Sequence, residues 1–98
     1  MKIENKITTI QKGNATPPEF LDYLDLIKIV ANTPLPQGLL GTEMIARLDL
    51  IKKCDEGNDD FNSEETKQIK LMCSQHRWGI VSADIADFTR YIASLPEA

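Results

Sequence analysis

The feature that most constrains this chain is the spacing of its helix start and stop signals. Polar capping residues at Thr16, Thr42, Asn62/Ser63 and Ser82 alternate with breaks at Asn32-Thr33-Pro34-Leu35-Pro36, Gly57 and Gly79. A cap side chain satisfies N–H groups that the first helical turn leaves open, and glycine and proline end a helix by adopting or imposing conformations foreign to it. Four helical runs of similar length follow. With 98 residues and 42% hydrophobic content, the chain is long enough for one core but not two. The expected fold is mainly α: about four short helices packed as a small bundle, with an N-terminal β-strand or short hairpin. One domain is expected, 1–15 forming strand, arm and turn and 16–98 the helical core.

Thr16-Pro17-Pro18-Glu19 reads as a capping box with prolines in the first turn, where no intrahelical N–H bond is lost. The spacing predicts a helix from Pro17 to Ala31. Its charges Glu19, Asp22, Asp25 and Lys28 fall every third residue in one narrow stripe, leaving Phe20, Leu21, Tyr23, Leu24, Leu26, Ile27, Ile29 and Val30 around the rest. A helix apolar over most of its girth must be covered on more than one side. That points to a partner, with Tyr23 among the contacts. Ahead of it, residues 2–10 have the β-branched content of a strand, with Ile3, Asn5, Ile7 and Thr9 on one face. A lone strand has unpaired edges that recruit other chains, so Ile3 and Ile7 are expected contacts of an arm exchanged in an oligomer.

A second helix is predicted from Glu43 to Glu56, capped by Thr42, with Met44, Ile45, Leu48 and Ile51 as its apolar stripe and Glu43/Arg47 and Asp49/Lys53 as i,i+4 pairs. Leu39 and Leu40, in the loop before it, either fold back on the core or contact a partner. The third helix is predicted over Glu64–Arg77, capped by Asn62 with Glu65 or by Ser63, with Ile69, Met72, Cys73 and His76 on one face. The fourth follows Ser82 and carries Ile85, Phe88, Thr89 and Ile92 until Leu95-Pro96. Trp78 sits at the corner between the last two helices. It is either a core plug or, with Arg77, an anchor for a partner, since tryptophan and arginine dominate binding hot spots.

Charge and motif content narrow the function classes. A net charge of −4 is the wrong sign for a surface that neutralises phosphates, so nucleic acid is disfavoured. No apolar run approaches the roughly 18 residues of a membrane span, and the amino terminus lacks the apolar core of a signal peptide; a cytoplasmic protein is expected. In an antiparallel hairpin Cys54 and Cys73 would be offset by about 10 Å, too far for a disulfide, which makes free buried thiols the expectation. The acids between Asp55 and Glu65 fail as a calcium loop, because Asp60 stands where glycine is required and Thr66 where the bidentate glutamate belongs. Cys73 and His76 find no third ligand or orienting carboxylate, so no metal, cofactor or catalytic residue is expected. The turn at Gly79 also suits a helix-turn-helix regulator, with Lys70, Arg77 and Arg90 facing DNA, but that helix would also carry Asp84 and Asp87.

Thr33-Pro34, Glu43-Met44-x-x-Arg47-Leu48, Arg77-Trp78 and Ile85-x-x-Phe88 together give the chain a likeness across most of its length. It resembles small, largely uncharacterised helical proteins of tailed bacteriophages and prophages. The resemblance implies a bacterial cytoplasmic or virion-associated setting and a role in virion assembly, regulation or modulation of a host system. The leading expectation is a non-enzymatic, self-associating protein that binds a phage or bacterial protein through Trp78, Arg77, Leu39, Leu40, Tyr23, Ile3 and Ile7. A transcriptional regulator is the alternative.

Overall fold

The computed structural model describes residues 2–13, 17–33 and 37–96. β-branched side chains favour extended backbone, and β1 forms in their richest run, Ile7–Gln11. Gly13, at φ 56° in the left-handed region that glycine enters without a steric penalty, lies in the turn beyond it. β2, Phe20–Asp22, then returns antiparallel, with Ile7 opposite Asp22 and Gln11 opposite Phe20. Four helices follow among the described residues: α1 (Tyr23–Ala31), α2 (Gly41–Asp55), α3 (Ser63–Gln75) and α4 (Ala83–Ala93). The mainly α bundle with an N-terminal hairpin is the architecture expected.

The hairpin is assembled differently from the expectation. The Lys12 N–H donates to the Glu19 carbonyl at 2.7 Å and the Thr8 hydroxyl to the Leu21 carbonyl at 2.7 Å. Backbone acceptors that a helix from Pro17 would need are thereby engaged across the hairpin, so α1 starts only at Tyr23. Its cap is Asp22, whose carboxylate accepts from the Asp25 N–H at 2.8 Å while the Asp25 carboxylate accepts from the Asp22 N–H at 3.0 Å. Burial would raise the Asp25 pKa, but that N–H and the Lys12 ammonium, 3.2 Å away, together hold it below the usual carboxylate range. The cap expected at Thr16 lies outside the described residues.

The strand is also shorter and out of phase with the face expected for it. Ile3 is buried, its N–H donating to the Asp59 carbonyl at 2.9 Å, and Lys2 bridges Asp60. Residues 4–6 are not strand, so the alternation restarts at β1. There Thr8 points inward, its hydroxyl both donating to Leu21 and accepting from the Ile10 N–H, and Ile7 is left 76% exposed. The other edge of β1 meets α4, where the Asp84 carboxylate accepts from both the N–H and the hydroxyl of Thr9. β1 is paired on one side and met by a carboxylate on the other within a single chain, which removes the reason for an exchanged arm.

The core gathers around α1, which packs against β2, α2 and α3. Tyr23, Leu24, Leu26, Ile27, Val30 and Ala31 are all buried. Tyr23 stacks edge-on to Phe88 with ring centres 5.1 Å apart and tilted against Tyr91 at 5.7 Å. The expectation that this helix is too apolar for its own chain to shelter is therefore overturned: α2, α3, α4 and the hairpin together enclose it, and of its apolar side chains only Ile29 stays exposed.

α3 starts where its signals place it, on an Asn62/Glu65 capping box with bonds of 2.8 and 2.9 Å, and buries Ile69, Met72 and Cys73. It ends at Gln75, before the expected Arg77. α4 is capped by Ser82 and buries Ile85, Phe88 and Ile92, whereas Thr89 turns outward with its hydroxyl on the Ile85 carbonyl. The Lys70 ammonium donates to the Leu95 carbonyl at 2.6 Å, joining α3 to the end of α4.

Candidate partner-binding surface

The structure separates the seven residues expected to meet a partner. Tyr23 and Ile3 are core residues and leave the list: α4 brings Phe88 and Tyr91 onto Tyr23, and the α2–α3 connection covers Ile3. Trp78 is half-buried, edge-on to His76 at 4.4 Å between ring centres and to Phe88 at 6.3 Å, so it packs the corner between α3 and α4. Arg77 beside it is exposed. Ile7 lies on the outer face of the hairpin, remote in the chain from Leu39, which is half-buried, and Leu40, which is exposed. Ile7 lines one depression with Tyr23, and Leu39 and Leu40 line another.

A more continuous apolar surface lies on α2. The helix begins at Gly41 with Leu40, rather than Thr42, in the cap position and no side-chain bond to its first N–H groups. It gives the core only Leu50 and Cys54. The stripe expected to face inward faces out instead: Met44 is 49% exposed, Ile45 63% and Leu48 57%, with Ile51 half-buried. Leu48 and Leu50 are two residues apart, roughly 200° round the axis, so α2 carries apolar stripes on opposite sides and only one can meet α1. The signal was present in the sequence, in Leu50 and Cys54 as an i,i+4 pair. Met44, Ile45 and Leu48 are thus surface residues that sequence reasoning placed in the core. Between α1 and α2 the exposed Leu48 and Ile29, with the half-buried Ile51, line a shallow depression of about 460 Å3.

Among the described residues, few bonds hold the first half of α2 to the rest. The Arg47 guanidinium reaches the Val30 and Ala31 carbonyls at 3.4 Å, at the end of α1. The second half is tied more closely, by Lys28 to Asp55 at 2.6 Å and by Lys53 to Glu65 at 2.9 Å, the latter in place of the expected Asp49 pairing. On its other side the first half of α2 and α3 leave two adjoining clefts between them, about 580 and 540 Å3, which share Glu43, Gln68 and Leu71.

Burial shifts the ionisation of both thiols, the imidazole and the Tyr23 phenol. Burial pushes the Cys54 thiol up to about 11 and the Cys73 thiol up to about 12, so neither supplies thiolate near neutrality. Burial lowers the pKa of His76, which packs on Trp78. Burial, then the Asp87 and Asp84 carboxylates, raise the Tyr23 phenol. Among the described residues no group of three or more His, Cys, Asp or Glu side chains is placed to hold a metal ion, and no helix is long and apolar enough to cross a membrane. At the α3–α4 corner, where the alternative reading places a DNA contact, Lys70 donates to the Leu95 carbonyl, Arg90 pairs with Asp87 at 2.8 Å, Asp84 accepts from Thr9 and Arg77 is exposed. Comparison with protein-family models, curated proteins and solved structures finds no match to this chain.

Proposed function

We propose that this chain is a non-enzymatic protein-interaction domain whose main contact is the outer face of α2, and that it self-associates there. The observation that carries the reading is the joint exposure of Met44, Ile45 and Leu48 on one side of a helix whose opposite side already fills the core. Contiguous exposed apolar patches of this kind mark contact sites in soluble proteins. Ile29 extends the patch onto α1, beside the half-buried Ile51 of α2, which gives it breadth as well as length. The likeness to phage proteins supplies the proposed setting, a bacterial cell in which such a domain acts in virion assembly or in modulating a host system.

Sedimentation equilibrium of the chain at micromolar concentrations tests the reading. The wild type is expected to sediment above its 11.0 kDa chain mass and an Ile45→Ser/Leu48→Ser variant at that mass. A wild type that remains monomeric throughout that range removes self-association from the proposal.

A further inference from the structure

We propose that the trough between α2 and α3 is a second docking site, and that it takes an amphipathic helix from another protein with leucine-like side chains on its buried face and lysine or arginine at one end. The proposal rests on the interaction reading above and names a partner chemistry for a different face of the same helix.

The two clefts adjoin through Glu43, Gln68 and Leu71, so they form one trough. Along α3 it runs from Glu64 to Gln75, about 16 Å at 1.5 Å per residue, which matches some three turns of a docked helix. Its apolar lining is Leu39, Leu40 and Ala46 on the α2 side and Leu71 and Met72 on the α3 side, with Leu40 and Leu71 exposed. Spaced apolar contacts along a groove are what an amphipathic helix reads with its i, i+3/i+4 and i+7 side chains.

Charge decides the kind of helix. One end of the trough gathers Asp49, Glu64 and Glu65 against Lys67, with Glu43 next to them at the join between the two clefts. Glu65 is already engaged by Lys53, whereas Glu43, Asp49 and Glu64 make no ion pair among the described residues. At the other end stand the uncharged Gln37 and Gln75, with Arg47 turned to the α1 carbonyls. A basic end laid over Glu43, Asp49 and Glu64 gains attraction there, and an acidic one is repelled. The net charge of −4 favours the same sign of partner.

The test uses the full chain and two fluorescein-labelled 15-residue probes. One is a leucine/lysine amphipathic helix; in the other every lysine is glutamate. Anisotropy measures affinity, and amide shifts of the 15N-labelled chain locate the contact. The lysine peptide is expected to shift Leu40, Glu43, Gln68 and Leu71 and to bind at least ten-fold tighter than its glutamate counterpart. Leu71→Asp, at an exposed position, is expected to weaken it ten-fold or more without altering the rest of the spectrum, and Glu43→Lys/Glu64→Lys to reverse the preference between probes. Equal affinity for both probes, or shifts confined to Met44, Ile45 and Leu48, overturns the trough as the site. In the second outcome the interaction reading stands, and it also stands if neither probe binds while the wild type sediments as an oligomer; in that last case the trough proposal fails alone.

Discussion

α1 contributes six of its nine residues to the core, whereas α2, with fifteen, contributes two. α1 is apolar at seven of its nine positions and α2 at seven of fifteen, so composition sets part of the difference. Position in the chain sets the rest. α1 is preceded by a hairpin that folds onto it and followed by helices that return to its other sides, bringing Ile69, Phe88 and Ile92 into the same core. α2 meets α1 along one stripe, and its first half stands at the margin, leaving the opposite stripe bare. An apolar side chain therefore stabilises this fold only where a distant segment comes back to cover it, and the outer stripe of α2 is left uncovered.

The sharpest way to break this comparison is to truncate one residue from each helix. Ile27 is fully buried, and Ile27→Ala should lose about 2–5 kcal/mol of unfolding free energy, the usual cost of emptying a core site. Leu48→Ala should stay within about 0.5 kcal/mol at concentrations where the chain is monomeric, as for a surface replacement. Urea unfolding monitored by circular dichroism measures both. Equal losses would dissolve the distinction between the helices. A loss for Leu48→Ala that grows with protein concentration would sharpen it, because Leu48 would then be buried by a second copy.

How much of this was legible beforehand differs by element for a physical reason. α3 and α4 were readable because Asn62 with Glu65, and Ser82, are local signals next to the apolar stripe they introduce. Thr16-Pro17-Pro18-Glu19 was an equally good local signal, yet the carbonyls of Glu19 and Leu21 accept bonds from Lys12 and Thr8 across the hairpin, and nothing near position 19 announces that. The box that forms, Asp22 with Asp25, is visible in the sequence but coincides with the charged stripe of the expected helix. Leu40 and Ile7 are exposed as a contact residue requires, while Tyr23 is not, because the aromatic rings that cover it arrive from Phe88 and Tyr91. The outward turn of Met44, Ile45 and Leu48 follows from a choice between two apolar stripes that helical periodicity alone leaves open.

The two helix starts offer a smaller test of the same contrast. α1 has a reciprocal aspartate box, and α2 has no side-chain cap bond. Asp22→Ala is expected to cost about 1 kcal/mol, the typical cap contribution. Thr42→Ala replaces an exposed residue inside the first turn of α2, where the sequence had placed the cap, and should change stability by less than about 0.5 kcal/mol. Thermal unfolding of the two variants separates them. A Thr42→Ala loss as large as that of Asp22→Ala would mean that α2 begins at Thr42 after all.

The smallest effect concerns the bond that keeps the second half of α2 on α1. Lys28 and Asp55 are both partly exposed, so the pair is worth no more than about 1 kcal/mol and less as salt rises. The hydrogen bond to Asp55 raises the Lys28 pKa above its ordinary 10.5, outweighing the opposing effect of burial. A raised pKa on a base means that the folded chain holds the proton more tightly than the unfolded one. The stabilisation is therefore complete below 10.5 and disappears as pH climbs through the higher folded value. Lys28→Met keeps most of the aliphatic stem and removes the charge. Its deficit relative to wild type should be measurable by urea unfolding at pH 7 in low salt, shrink in 1 M salt and vanish at pH above the folded Lys28 value. A deficit that persists unchanged at high pH would instead assign the loss to packing of the stem, and the join between α1 and the end of α2 would be apolar rather than ionic.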